Sequence, residues 1–211
     1  MGGSANPNQM RAIMRQTALL ITGIALLAAC SGDPTAASTA AELQSRAAAA
    51  GAAEAGGASF GAAVNQDLAT LRRVTAPFHN FATASNAGWS TKITACMTDP
   101  NGAGGMGFHY GNTDLIDGTA SVDQPELLLY EPDKNGRLTL VAVEYIIPYT
   151  AHGREEAPPV LFGQKFKQND TFQLWGLHAW VWKHNPSGMF ADWNPNVNCD
   201  NTTDIMAMRH Q

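Results

Sequence analysis

The sequence predicts an α+β fold, with an N-terminal helix packed on an antiparallel sheet of four to five strands. Three observations carry that expectation. Between residues 68 and 81 the large apolar residues recur at three- and four-residue steps, the period of one helix face. From 106 to 183 the period falls to two, that of a pleated strand. Within "EPDKNGR" (131–137), Asn135-Gly136 is the dipeptide best suited to a tight hairpin turn.

Taken in chain order, the first element is an export leader. Arg11 and Arg15 precede the apolar run "ALLITGIALLAA" (18–29), which is shorter than the roughly 20 residues a spanning helix needs. "LAAC" (27–30) resembles the bacterial lipobox. Residues 1–29 are therefore expected to be a lipoprotein signal peptide, with Cys30 the lipidated residue; the alternative is an ordinary secretory signal followed by a chance cysteine. Ser31 in the next position resembles outer-membrane sorting, and Met10 and Met14 are alternative starts that would leave the leader intact. The expected address is the extracytoplasmic face of a bacterial envelope, with the membrane as a partner through the lipid. Residues 30–63 are rich in Ala, Gly and Ser and poor in large apolar side chains, as expected for a tether.

Residues 64–211 are enough for one α+β domain with a single core. Its helix carries Leu68, Leu71, Val74, Phe78 and Phe81, with Asn65 as N-cap and Gly88 as stop. Pro77 inside that pattern removes a backbone donor and should kink or split the helix. Strands are expected at 106–110, 126–131, 137–147 and 172–183, with a short one at 91–96. "LVAVEYII" is apolar on both faces, which suits a central strand. The stretch 151–170 reads as an ordered flap, and the glycine-rich "NGAGGMG" (101–107) as a turn with close backbone packing.

Net charge is −5, and removing the leader takes away two arginines and no acid. Apart from Arg72-Arg73 there is no basic cluster, which argues against a nucleic-acid partner. With Cys30 given to lipid, Cys96 and Cys199 form an even pair in a compartment that permits disulfides; two buried thiols are the alternative.

Glu144 stands in the strand most expected to be buried, where an unpaired carboxylate would cost several kcal/mol. Its partner could be Lys183 or Arg137, a histidine, a backbone nest or a metal ion. His109, facing opposite to Phe108 and Tyr110, and His178, on the aromatic side of "GLHAWVWKHNP" (176–186), could converge on it. His109, Glu144 and His178 are thus the candidate metal ligands, with a divalent ion as the possible cofactor. Tyr110, Tyr130, Trp180 and Trp182 are the candidate lining for a small ligand, and Glu126 is a further ligand candidate. No catalytic residue can be named, because no nucleophile elbow, Walker loop, dinucleotide fingerprint or CxxC is present. Three readings stay open: binding of a small ligand or divalent metal, a metal-dependent hydrolase or oxygenase-like enzyme, and a structural lipoprotein whose buried polar network satisfies itself.

"GGMGFHYGN", "PELLLYEPDKNGRLTLVAVEYIIP", "LFGQKF" and "LHAWVWKHNPSGMFADWNPNVNC" together resemble a family of secreted bacterial proteins and lipoproteins with the pattern GGMGxHY, PExLxYEP, VEY, LHxWxWxxNPxG and NPxVxC. The likeness runs over about residues 65–200 and departs at "GNTDL" (111–115). It implies an exported domain and assigns no activity.

Overall fold

A computed structural model describes residues 60–208; the leader, Cys30 and the tether up to residue 59 lie outside the described residues. Helix α1 spans Ala62–Thr75 and buries Leu68 and Leu71. It starts ahead of Asn65, at an N-cap formed by Gly61; the Asn65 side chain instead donates back to the Phe60 carbonyl at 2.8 Å. Pro77 splits the helical segment. A 3₁₀ turn, Ala76–His79, follows α1 with the proline at its start, where a missing N–H leaves nothing unpaired. Asn80 then caps the short helix α2, Phe81–Asn86, its Oδ1 accepting from the Ala82 and Thr83 amides at 3.0 and 3.4 Å.

The fold is α+β, as expected, but the sheet has eight strands rather than four to five. The strands are β1 (Thr91–Lys92), β2 (Cys96–Thr98), β3 (Gly105–Gly111), β4 (Leu127–Pro132), β5 (Leu138–Pro148), β8 (Lys167–Asn169), β9 (Leu174–Ala179) and β10 (Ile205–Ala207). The order is β10-β2-β3-β4-β5-β9-β8, with β1 paired to the far end of β3. The additional strands are short and sit at the edges, where the period-two signal is only two or three residues long. The expected ordered flap is irregular over 151–159, after which β6 (Val160–Leu161) and β7 (Gln164–Lys165) make a separate hairpin whose turn drives Phe162 into the core at φ 53°.

One face of the sheet packs beneath the helices, through Leu128, Tyr130, Val143, Tyr145 and Leu177 against Leu68 and Leu71. The other face carries Met97, Leu129, Ala142, Ile146 and Trp180, packed with Trp193 and Val197 of the closing segment. Strand β5 changes its alternation partway along. Leu129 pairs with Ala142 but Tyr130 with Leu140, so Val141 is an extra residue, a bulge. Leu138 and Leu140 face the helices before it; Val143, Tyr145 and Ile147 do so after it.

The Cys96–Cys199 disulfide is formed, with Cα atoms 5.8 Å apart and a sequence separation of 103. It ties the closing segment to β2, where β10 adds in parallel. The turn before β3 is closely packed as expected: Gly104, at φ 112°, lies so near the Asn194 carbonyl that a Cβ would sit 2.2 Å from that oxygen. Among the described residues, no helix is long and apolar enough to cross a membrane.

Candidate metal centre

Strands β3, β5 and β9, with β4 between the first two, bring His109, Glu144 and His178 to the face opposite the helices. Glu144 of β5 pairs directly with His178 of β9. His109 of β3 pairs with Leu129 of β4, while Glu144 pairs with Leu127, so His109 reaches Glu144 diagonally across β4. Were Val141 in strict alternation rather than bulged, Glu144 would point to the helix side.

The Glu144 carboxyl lies between the two imidazoles, one oxygen toward each. His109 Nε2 is 3.4 Å from Oε2, and His178 Nε2 is 3.8 Å from Oε1. One donor atom from each of the three residues lies within 4.8 Å of the others, and all three side chains are buried. These separations are longer than a good hydrogen bond. Two tetrahedral donors, each about 2.1 Å from a metal, stand roughly 3.4 Å apart, so His109 and Glu144 already have that spacing. On the Glu144 side His178 would need to close in by several tenths of an ångström, and every pair of donors lies within 4.8 Å.

His178 Nε2 is buried and has no hydrogen-bond partner among the described residues. Its Nδ1 lies 3.9 Å from Asp192 Oδ1, and its ring stacks on Trp180 with centroids 6.2 Å apart. His109 is better tethered: its Nδ1 is 2.9 Å from Thr94 Oγ1. For Nε2 to ligate, Nδ1 carries the hydrogen and donates to that hydroxyl, which fixes the tautomer and the ring plane.

Burial sets the protonation of the cluster. It holds His109 down to about 3, with the neighbouring His178 adding to the effect. His178 is held down to about 4, again chiefly by burial, with Asp192 opposing and Lys167 reinforcing the shift. Glu144 is pushed up to about 8 by burial, then by the nearby Asp192 and Glu126. In the metal-free protein at neutral pH the two contacts of Glu144 with the imidazoles are therefore between uncharged groups, and they are not ion pairs.

Two cavities flank the cluster. The inner one, about 70 Å³, is lined by all three residues together with Thr94 and mainly apolar side chains that include Met97, Leu127 and Ile146. The outer one, about 190 Å³, touches Glu144 and His178 and is rimmed by Lys167, Asn169 and Asp192. Lys167 donates to Asp192 at 2.8 Å across that rim.

The expected ligand lining needs correction. Of Tyr110, Tyr130, Trp180 and Trp182, only Trp180 shares the face of the three donors. Tyr130 is fully buried under the helices, its hydroxyl donating to the Phe78 carbonyl at 2.7 Å, and Tyr110 packs beside it against Phe81. Trp182 is lost from the face because β9 ends at Ala179, not Lys183. The chain turns there, the Trp182 and Lys183 amides donate to the Val141 carbonyl at the bulge, and the indole N–H reaches Thr75 Oγ1 at 3.0 Å.

The other candidates have structural partners. Lys183 pairs with Glu131 and Arg137 with Asp133, so neither neutralises Glu144. Glu126 accepts from the Ile146 amide at 3.1 Å, supplying an acceptor just beyond the start of β4. Sequence reasoning missed Thr94 and Asp192, which contact the centre from segments with no local motif to mark them. Comparison with protein families, with curated proteins and with solved structures finds no match, so the reading of this centre rests on its own chemistry.

Proposed function

We propose that this chain is an exported, lipid-anchored protein whose domain binds one divalent transition-metal ion through His109, Glu144 and His178. The observation that carries the metal is the buried His178 Nε2, which lacks a hydrogen-bond partner among the described residues and faces one oxygen of a carboxyl group whose other oxygen faces a second imidazole. An unsatisfied buried polar atom costs about 1–3 kcal/mol, and a self-contained polar network would not leave one. An ion at the centre would satisfy all three groups together.

The protonation states support the same reading, since neutral imidazole is the form that ligates. Two nitrogens and one oxygen suit the first-row divalent ions, zinc, iron, manganese and copper among them, more than magnesium or calcium. Export and lipid attachment are supported by the leader and lipobox pattern of residues 1–30, and by the disulfide, a bond typical of oxidising compartments. The adjoining cavities favour a second reading, an enzyme in which the metal activates a bound water.

The test is metal analysis of the purified full chain, with thermal melts in the presence of Zn²⁺, Cu²⁺, Mn²⁺ or Fe²⁺. About one ion per chain is expected, with a rise in Tm of several degrees at metal concentrations well above Kd. Finding neither a stoichiometric metal nor any shift in Tm would falsify the proposal.

A further inference from the structure

The metal reading leaves one question that the surroundings of the centre answer: what occupies the rest of the coordination sphere. We infer that the metal keeps an exchangeable position facing the inner cavity, and that this position takes a small exogenous ligand of two or three heavy atoms. The inference rests on the metal reading and goes beyond it.

Three protein donors leave one position open in a tetrahedral sphere and up to three in an octahedral one. His109, Glu144 and His178 all line the same inner cavity, so an ion held between them borders that space. Size then decides the ligand class. At about 70 Å³ the cavity exceeds the roughly 10–15 Å³ that one water needs, and falls far below the roughly 300–1,000 Å³ of a pocket for an organic substrate.

The wall narrows the choice further. Ile93, Met97, Leu127 and Leu174 contribute no charge, and Glu144 is the only ionisable group in the lining besides the two histidines. Such a wall disfavours hydrated or multiply charged species and accepts neutral or singly charged ones. The inner cavity is itself bordered by the exposed Ile93 and Phe172, and it adjoins the outer one, with which it shares Met106, Glu144, Asn169 and His178.

Azide, a linear triatomic, is a suitable probe. The full chain is loaded with Co²⁺, whose visible absorption reports coordination, and titrated with sodium azide. Saturable change in the cobalt bands is expected. Leu174→Phe, which adds bulk to the inner wall, should keep about one cobalt per chain while weakening azide at least tenfold. Phe172→Trp, at a lining residue that is 37 % exposed, is the second variant should the first not fold. Cobalt that binds but whose spectrum azide leaves unmoved would overturn the inference alone, pointing to a sphere closed by a thioether of Met97 or Met106. Azide affinity unchanged in a folded cavity-filling variant would also overturn it. Failure of cobalt to bind would remove both this inference and the metal reading.

Discussion

Replacing Glu144 by glutamine separates stability from metal binding. The carboxyl is pushed up to about 8, so it is mostly protonated at neutral pH in the metal-free protein, and an amide of the same shape imitates that form. Glu144→Gln should therefore change metal-free stability by under about 1 kcal/mol, yet weaken metal at least a hundredfold, because an uncharged amide is a poor ligand. Melts in chelator and metal titrations of the same preparation check both halves. Thr94→Val tests the tether on His109. Loss of a partner that orients a ligating imidazole typically costs 10–100-fold in affinity, and that drop is expected in the same titration.

At the scale of elements, the hairpin β6–β7 supplies an anchor. Phe162 is buried against Tyr145 and Phe190 with ring centroids 5.6 Å away in each case. Phe162→Ala should cost about 3–5 kcal/mol in denaturant unfolding. The core strands and the residues of the centre were legible in the sequence. "GFHY", "LLLYE" and "LVAVEYII" carry their period over enough residues to be read, and a carboxylate amid Val and Ile requires a partner wherever it lies. What could not be read was the end of β9. "LHAWVW" keeps a perfect alternation through Trp182, but the bulge carbonyl of Val141 captures the Trp182 and Lys183 amides and turns the chain. Edge strands and the turn at Phe162 were equally hidden, since pairing with a distant segment creates them.

For the whole molecule, acidity and oxidation set the limits. Glu126 is pushed up to about 8 by burial, against about 4.5 when unfolded. Its contribution is fully present below pH 4.5 and is lost as pH rises through 8, because above 4.5 the unfolded chain sheds a proton that the folded one retains. Metal-free protein should thus lose stability between pH 5 and 8 by up to about 1.4 kcal/mol per pH unit for this group, and Glu126→Gln should flatten that slope in urea titrations. Breaking the disulfide through Cys199→Ser should cost roughly 3–5 kcal/mol by the chain-entropy argument, read as a lower Tm without reductant.

The extra residue in β5 has a consequence of parity. Val141 and Ala142 lie on the same side of the sheet, so deleting Val141 alone would leave Leu140 and Ala142 opposite Tyr130 and Leu129 and keep every later side chain, Glu144 included, on its present side. Strict alternation with Val141 retained would instead drive the acid in among leucines and deliver the phenol of Tyr145 to the two imidazoles. A one-codon loss at the bulge should therefore spare the centre, where the same loss in a strand of strict alternation would abolish it.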